Sequence, residues 1–284
     1  MSEFKAAPSQ ATPRDSRNLL MRVAAALVLA PLAVIAAYAG GWWWTALVTL
    51  TAIGLFIEWL TVVSPGREVR LSIAVTGSVA LAVGGVCLMS AGIVAPFAIV
   101  AAGLAAVAAL SPAPRRWVLA GFLYAAAAQM ASILVRQDHF EGLTALLLVL
   151  LVVWASDIGG FFAGRALGGP KLWPRVSPNK TWAGAIGGFL ASLLIGAGFG
   201  YFGFGKIGPM LLASAALSVA SQLGDLMESA IKRRFGVKDS SHLIPGHGGL
   251  MDRLDGYVAA IVMAAAFELW RHGVDGAGRV LMVW

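Results

Sequence analysis

The sequence contains little cysteine and few charged residues. Cys87 is the single cysteine among 284 residues and lies inside an apolar run, which excludes an internal disulfide and any cysteine spacing for a metal ion. Asp, Glu, Lys and Arg make up 12% of the chain, whereas 59% is hydrophobic and the mean hydropathy is +0.80. A soluble domain has a much smaller hydrophobic share, so the composition predicts an integral membrane protein.

Several common functional motifs are also missing. There is no H-E-x-x-H and no His/Cys cluster to suggest zinc, and the P-loop pattern G-x-x-x-x-G-K-[ST] does not occur. No internal repeat of the kind found in many transporters is visible. The net charge of +7 does not indicate nucleic acid, because the aromatic residues lie in apolar runs rather than among Lys and Arg. Basic cytoplasmic loops of a membrane protein explain the excess.

Nine apolar segments follow a polar N-terminal tail. Residues 1–18 are predicted to be a disordered cytoplasmic tail. A transmembrane helix needs roughly 20 apolar residues, and the candidates are residues 19–39, 43–63, 71–90, 92–110, 117–135, 143–164, 182–204, 208–229 and 254–270. The predicted fold class is therefore all-α, a polytopic integral membrane protein with about nine transmembrane helices. Ala37-Tyr38-Ala39 resembles a signal-peptide cleavage site, but the long polar leader favours a retained first span.

The distribution of basic residues predicts the orientation. With a cytoplasmic N-terminus, 17 of the 21 Lys and Arg fall in cytoplasmic segments and four in the outer ones, as the positive-inside rule requires. The two longest polar loops, about residues 165–181 and 230–253, then lie on the cytoplasmic side. Their ligands are expected to come from the cytosol.

Charged and polar residues concentrate between Ser221 and Gly256. Helical spacing places one set on a common face, namely Gln222, Asp225, Glu228 or Ser229, and Lys232. An unpaired carboxylate inside the membrane boundary is costly, so Asp225 is expected to contact a lysine or a metal ion. A helix-end salt bridge from Asp225 or Glu228 to Lys232 is the simpler alternative.

A glycine-rich loop and two carboxylates follow. Gly246-His247-Gly248-Gly249 offers backbone amides to anionic oxygens, and Asp252 and Asp255 lie one turn apart at the start of the ninth span. One carboxylate at a helix N-terminus is an ordinary dipole partner. Two on one face, opposite Asp225, indicate ligands for a hard cation such as Mg²⁺. The basic residues around them suit a triphosphate; they are Lys232, Arg233, Lys238 and Arg253.

The other cytoplasmic loop predicts a second phosphate site. Asp157 lies in an apolar run, where a charge usually has a function, and it is followed at helical spacing by Phe161 and Arg165. Ser177-Pro178-Asn179-Lys180-Thr181 is predicted to be a polar turn before the seventh span, where two hydroxyls and a lysine suit an anion. N-capping by Ser177 or Thr181 is an equally good alternative.

Two polar residues have more open roles. His247 could act as a general acid or base, as a phosphate hydrogen-bond donor or as a loop anchor. The last two are favoured, because an ionised phosphate nucleophile needs no base. Glu58 in the second span is a lone acid with no partner visible in the sequence.

These motifs resemble a known family. One stretch reads Ser229-Ala-Ile-Lys232-Arg233, four residues, Lys238-Asp239, then Pro245-Gly-His247-Gly248-Gly249-Leu-Met-Asp252-Arg253-Leu-Asp255. This stretch is similar to the signature of phosphatidate cytidylyltransferases, or CDP-diacylglycerol synthases. Ser177-Pro-Asn-Lys180-Thr181-Trp182 and the Asp157…Gly164-Arg165 run also resemble that family. Two positions depart from the family pattern. Ala183 stands where a Glu is expected, and Ala155-Ser156 stands ahead of Asp157, where an Asn or Thr next to the Asp is usual. The resemblance covers residues 150–260 most strongly.

The resemblance implies a reaction in which CTP and phosphatidic acid give CDP-diacylglycerol and pyrophosphate. It implies Mg²⁺ held by Asp225, Asp252 and Asp255, a second cation such as K⁺, a homodimer, and a bacterial inner membrane location. The candidate catalytic residues are Asp225, Lys232, Arg233, Lys238, Asp239, His247, Asp252, Arg253 and Asp255. The candidate substrate-binding residues are Asp157, Arg165, Ser177, Asn179, Lys180, Thr181, Gln222, Glu228, Ser229, Gly248 and Gly249.

The resulting organisation has three parts: the tail 1–18, N-terminal transmembrane helices in 19–140, and a catalytic transmembrane region with cytoplasmic loops in 141–284. Two alternatives are a sibling CTP-dependent enzyme acting on another lipid phosphate and an ion-coupled transporter. A transporter predicts charges spread through several spans, whereas these charges concentrate in two cytoplasmic loops.

Overall fold

The computed structural model describes residues 31–63, 67–90, 94–112, 115–138, 141–241, 248–272 and Met282. Within these ranges the chain forms nine helices and one small sheet. The elements are α1 (31–39), α2 (Gly41–Val63), α3 (Arg67–Ser90), α4 (Val94–Leu110), α5 (Arg115–Gln137), α6 (Gly142–Leu167), β1 (Lys171–Trp173), β2 (Ser177–Thr181), α7 (Trp182–Tyr201), α8 (Ile207–Arg234) and α9 (Met251–His272). The predicted tail 1–18 lies outside the described residues.

Six of the described helices are long and apolar enough to cross a membrane, namely α2, α3, α5, α6, α7 and α8. This confirms the prediction of a helical, polytopic membrane protein. Helix α4 is apolar but has 17 residues. Helix α9 has 22 residues and carries Asp252, Arg253 and Asp255 at its start, and only part of the first predicted span is described. A total of nine crossings therefore stays a prediction.

Helix α5 lies at the centre of the bundle and packs against α2, α3, α4, α6 and α9. Indole donors tie it to α2 at both ends: Trp59 Nε1 donates to the Trp117 carbonyl at 2.7 Å, and Trp44 Nε1 donates to the Ser132 carbonyl at 2.8 Å. Phe56 contacts Phe122 edge to face between these bonds. The buried core thus holds α2 and α5 antiparallel, and their Trp59–Trp117 end is the end that carries the functional site.

Small residues allow α6 and α7 to approach closely. A Cβ on Gly188 would lie 2.5 Å from the Ser156 carbonyl oxygen, and one on Gly160 would lie 3.3 Å from the Gly184 carbonyl oxygen. Ser192 Oγ donates across the same interface to the carbonyl of residue 152 at 3.2 Å. Such small-residue interfaces are typical of membrane helices, where close backbone packing replaces the hydrophobic effect. Asp157, one position after Ser156, is positioned by this contact.

The segment after α6 differs from the sequence-based expectation. Strands β1 and β2 pair antiparallel, with Lys171 opposite Thr181 and Trp173 opposite Ser177. The predicted polar turn at Ser177–Thr181 is therefore wrong, because these residues form β2. The N-cap alternative is confirmed for Thr181, whose Oγ1 accepts a hydrogen bond from the Gly184 amide at 3.1 Å. A short hairpin was hard to foresee, because strands of three and five residues carry almost no alternation signal.

The hairpin and the α8–α9 junction lie at the same end of the bundle. Lys180 of β2 forms an ion pair with Asp225 of α8, and the Arg234 guanidinium lies 5.1 Å from the ring centre of Trp117 at the start of α5. The described parts of 165–181 and 230–253 therefore share one end, as predicted. Helix α8 also approaches α9 closely, because Gly224 leaves room for the α9 backbone.

Candidate active site

A pocket of about 410 Å³ opens between α6, the hairpin, α7 and α8. It is lined by many of the predicted substrate-binding residues, namely Asp157, Arg165, Asn179, Lys180, Thr181, Gln222 and Asp225. Apolar and small residues complete the wall, among them Phe161, Leu172 and Gly164. The structure therefore brings the two polar segments of the sequence together in one pocket.

The Lys180–Asp225 ion pair lines this pocket. Strand β2 carries Lys180 and α8 carries Asp225, and their side chains are 28% and 32% exposed. Ser229 Oγ lies 3.5 Å from an Asp225 carboxylate oxygen, and Gln222 Nε2 donates to the Ala185 carbonyl at 3.2 Å. The prediction that Asp225 requires a cation is confirmed, and the partner is Lys180 from the other loop.

Asp157 contributes a further charge to the pocket. Its carboxylate interacts electrostatically with Asp225 and Lys180. Arg165 extends from the last turns of α6 and lies over the Phe161 ring, with its guanidinium carbon 5.9 Å from the ring centre. The pocket thus combines anionic and cationic side chains within one small volume, an arrangement that suits phosphates together with cations.

A second polar cluster lies next to the pocket, between α8 and α9. Lys232 Nζ lies 2.6 Å from Glu228 Oε2 and 2.6 Å from Asp252 Oδ1. The alternative of a helix-end salt bridge from Asp225 or Glu228 to Lys232 is confirmed for Glu228, and Lys232 also links α8 to α9. These side chains are only 13%, 3% and 11% exposed for Lys232, Glu228 and Asp252, so their charges are poorly screened by solvent.

Asp252 organises the loop before α9. Its carboxylate accepts hydrogen bonds from the Gly249 amide at 2.9 Å and from the Ser240 amide at 3.1 Å, and Oδ2 lies 3.1 Å from the Ser240 hydroxyl oxygen. Gly248 adopts a left-handed conformation with φ of 83°, which a residue with a side chain rarely adopts. The structure therefore shows Asp252 as the carboxylate that shapes the glycine loop, in addition to pairing with Lys232.

Asp255 lies between the two clusters. It interacts electrostatically with Asp157, Asp225 and Lys180 on the pocket side and with Glu228 on the other side. A Cβ on Gly224 would lie 2.6 Å from the Asp255 carbonyl oxygen, so the glycine lets α9 come close enough for these interactions. Of the three predicted metal ligands, Asp225 lines the pocket and Asp252 belongs to the adjoining cluster, whereas Asp255 is not among the pocket-lining residues.

The carboxylates of the pocket fit a hard cation in their chemistry. Within the described residues, no three acidic, histidine or cysteine side chains stand close enough to hold one metal ion. However, Asp157 and Asp225 line the same pocket, and the pocket lysine Lys180 is paired with Asp225. Carboxylate oxygens are the donors that Mg²⁺ prefers.

The remaining predicted residues are more peripheral. Arg233, Lys238, Asp239 and Arg253 are exposed near the α8–α9 junction, and Ser177 is half-buried in β2 outside the pocket lining. His247 lies outside the described residues. The surface positions of the four exposed residues are consistent with contacts to a ligand that approaches from this end of the bundle.

Sequence reasoning missed Glu58 as part of the site. This buried carboxylate of α2 accepts hydrogen bonds from the Leu250 and Met251 amides at the start of α9, at 2.8 and 2.7 Å, and from the Ser240 hydroxyl at 3.2 Å. The available signal was a single acid in an otherwise apolar span. Its partners are about 190 residues away in sequence, so spacing could not reveal them.

An apolar helix bundle with carboxylates and lysines around a pocket at one end has the features of a membrane-embedded enzyme that acts on phosphates. A family model described as "Cytidylyltransferase family" matches residues 20–270, and the chain belongs to that family.

Curated relatives agree with this assignment. The chain is 38% identical over 259 residues to the phosphatidate cytidylyltransferase of Brucella suis biovar 1 (strain 1330), covering 88% of this chain and 93% of that protein. Proteins of the same name from Haemophilus influenzae and from Staphylococcus epidermidis (strain ATCC 12228 / FDA PCI 1200) are 46% identical over 136 residues and 47% identical over 124 residues. These two matches cover 46% and 43% of this chain, and 47% and 48% of the relatives.

Proposed function

We propose that this protein transfers the cytidylyl group of CTP to phosphatidic acid, giving CDP-diacylglycerol and pyrophosphate. A phosphate oxygen of the lipid attacks the α-phosphorus of CTP, and the bond from that phosphorus to the β-phosphate oxygen breaks as the new bond forms. The observation that carries the proposal is the Lys180–Asp225 pair in a pocket that also contains Asp157, in a chain of the cytidylyltransferase family.

The lysines and polar groups of the pocket bind and orient the phosphates. Lys180 is the lysine among the described pocket-lining residues and is 28% exposed, so it can turn from Asp225 to an incoming phosphate. Asn179 offers an amide next to it, and the Thr181 hydroxyl, which accepts from the Gly184 amide, keeps its own proton to donate. Catalysis of this kind rests on positioning and on electrostatic stabilisation of the transferred group.

Asp225 and Asp255 are the proposed ligands of Mg²⁺, with Asp252 as the third carboxylate and a second cation such as K⁺ nearby. Bound Mg²⁺ supplies Lewis-acid activation of the phosphoryl oxygens and compensates the charge of the leaving pyrophosphate. In the described structure Lys180 is paired with Asp225, and Lys232 is shared by Asp252 and Glu228. Each lysine is therefore placed to move toward substrate phosphates when its carboxylate gains another cation.

The exposed basic residues complete the proposed binding surface. Arg233, Lys238 and Arg253 surround the α8–α9 junction and are proposed to attract the triphosphate, and Arg165 is proposed to bind a phosphate at the pocket rim. An ionised phosphate nucleophile needs no general base, so His247 is proposed to donate a hydrogen bond to phosphate or to anchor the loop.

The proposed membrane arrangement has nine crossings, a cytoplasmic N-terminus and the pocket facing the cytosol of a bacterial inner membrane. It is supported by 17 of 21 Lys and Arg falling on the cytoplasmic side. A pocket at the membrane boundary suits both substrates, because CTP arrives from the cytosol and phosphatidic acid from the bilayer. We also propose that residues 141–284 form the catalytic region and that the protein acts as a homodimer.

The test uses purified protein in detergent with phosphatidic acid, Mg²⁺ and CTP labelled at either the α- or the γ-phosphate. The α-label is expected in the lipid product and the γ-label in pyrophosphate, and EDTA should abolish both products. Transfer of the γ-label to lipid would identify a kinase instead. No labelled lipid from folded protein with phosphatidic acid would refute the proposed substrate, and polyprenyl phosphate as acceptor tests the sibling enzyme.

A further inference from the structure

Glu58 is a buried acid that joins the N-terminal helices to the active-site loop. Its side chain lies in α2 and the residue is 3% exposed. Its oxygens each accept two hydrogen bonds: Oε1 from the Leu250 amide at 2.8 Å and from the Ser241 hydroxyl, and Oε2 from the Met251 amide at 2.7 Å and from the Ser240 hydroxyl at 3.2 Å. These donors lie on both sides of residues 242–247, which are outside the described residues.

Glu58 places a carboxylate in the apolar helix α2, although its hydrogen-bond partners all lie outside that helix. A buried carboxylate is tolerated only when hydrogen bonds or charges replace its lost hydration. Here all four donors come from the loop and from the first turn of α9, where the helix dipole also favours a negative charge. No donor from α2 or its packing partners α3 and α5 is among the four, so Glu58 serves the loop rather than the N-terminal helices.

Ser240 connects Glu58 directly to Asp252. The single hydroxyl of Ser240 lies 3.2 Å from Glu58 Oε2 and 3.1 Å from Asp252 Oδ2, while its amide donates to the same Asp252 oxygen at 3.1 Å. Gly249 fits between them, because a Cβ there would collide with the Ser240 hydroxyl and lie 2.8 Å from Glu58 Oε2. A shift of Glu58 therefore moves the groups that orient Asp252.

Neighbouring positions of α2 reinforce this connection. A Cβ on Gly54, one turn before Glu58, would lie 2.9 Å from a methyl carbon of Leu250. One turn later, the Thr61 hydroxyl donates to the Glu58 carbonyl at 2.7 Å and lies 3.5 Å from the Ser240 carbonyl oxygen. One face of α2 thus contacts the loop over two turns, with Glu58 at its centre.

We propose that Glu58 is a positioning residue of the reaction. It holds the Ser240–Ser241 and Leu250–Met251 segments so that Asp252 is fixed for substrate and cation binding. The proposal rests on the proposed function. It also assigns a role in the site to an N-terminal helix, outside the residues that carry the motifs.

The test compares Glu58→Gln with Glu68→Gln, a matched control. Glu68 lies exposed in the first turn of α3, so the control makes the same charge change outside the site. In Glu58→Gln one oxygen becomes an NH₂ group, so the backbone amide that donated to that oxygen loses its acceptor, and the serine hydroxyl beside it must turn to accept instead. Hydrogen exchange of the Leu250 and Met251 amides should become faster in Glu58→Gln and stay at the wild-type rate in Glu68→Gln.

Kinetics separate positioning from stability. Misplacing a catalytic group by about 1 Å can reduce the rate about 100-fold, so kcat per folded Glu58→Gln molecule should fall about 10- to 100-fold, with a smaller change in the KM for CTP. The Mg²⁺ concentration for half-maximal activity should rise as well. Ser241→Ala removes one donor and should give smaller shifts in the same directions, which keeps the proposal testable if Glu58→Gln does not fold.

The outcomes distinguish this proposal from the proposed function. Wild-type kcat in folded Glu58→Gln, or in folded Ser241→Ala if Glu58→Gln does not fold, would overturn the positioning role even if exchange is faster. Unchanged exchange at Leu250 and Met251 would overturn the contact itself. If wild-type protein has no cytidylyl transfer activity, the proposed function fails, whereas the exchange experiment still tests whether Glu58 holds the loop.

Discussion

Replacing Lys180 by methionine separates the role of this residue in catalysis from its role in stability. The Lys180 and Asp225 side chains are 28% and 32% exposed, so solvent screens their attraction, and loss of the pair should change the free energy of unfolding by less than about 1 kcal/mol. A cation that contacts a phosphoryl group in the transition state is worth far more. Removing one such electrostatic contact typically lowers the rate about 100- to 1000-fold, or about 3–4 kcal/mol.

The measurement is kcat/KM for CTP in Lys180→Met, with thermal unfolding in the same detergent. Lys171→Met is the matched control, because Lys171 is exposed in β1 of the same hairpin and is not among the pocket-lining residues. We expect Lys180→Met to lose at least about 100-fold in kcat/KM with nearly unchanged unfolding, and Lys171→Met to keep wild-type activity.

Two results would refute this reasoning. Folded Lys180→Met with kcat/KM near the wild-type value would show that the pocket lysine does not contact the transferred phosphates. An equal loss in Lys171→Met would show that the overall charge of the hairpin matters, rather than the position of Lys180 beside Asp225.

Two further predictions concern stability. Lys232→Met leaves Glu228 and Asp252 without their shared cation in a poorly exposed cluster, and should destabilise the protein by about 3–5 kcal/mol. Adding Glu228→Gln should recover part of that loss in thermal unfolding, and no recovery would contradict the charge argument. Gly188→Ala directs a methyl group against the α6 backbone and should destabilise by about 1–3 kcal/mol. Gly198→Ala in the same helix has open space and should be neutral or slightly stabilising, so equal melting of the two variants would contradict the packing argument.

Much of the fold could be predicted because apolar length is a local property. Every one of the nine described helices coincides with a predicted apolar segment, since a chain in lipid must satisfy its backbone hydrogen bonds within each helix. The hairpin of 171–173 and 177–181 was missed. Its strands are too short to show a period, and their pairing depends on the helices that bring the two ends together.

The candidate site could be predicted as a set of residues but not as a set of contacts. Helical spacing was enough to suggest a salt bridge from Lys232 to Asp225 or Glu228 as an alternative, and the structure shows Glu228 as the partner. Spacing could not show that Asp225 pairs with Lys180, 45 positions earlier, or that Asp252 and Glu58 both contact Ser240. Such pairs depend on which helices are neighbours in the bundle.

The sequence by itself determined the class of protein, the helical segments and the family signature, because these depend on composition and on fixed spacing along one chain. Only the tertiary structure decided which charged side chains pair with one another. It pairs Lys180 with Asp225 in the pocket that Asp157 also lines, and it places Lys232 between α8 and α9. The physical reason is that charges with little access to water must find partners, and the available partners are set by helix packing rather than by sequence separation.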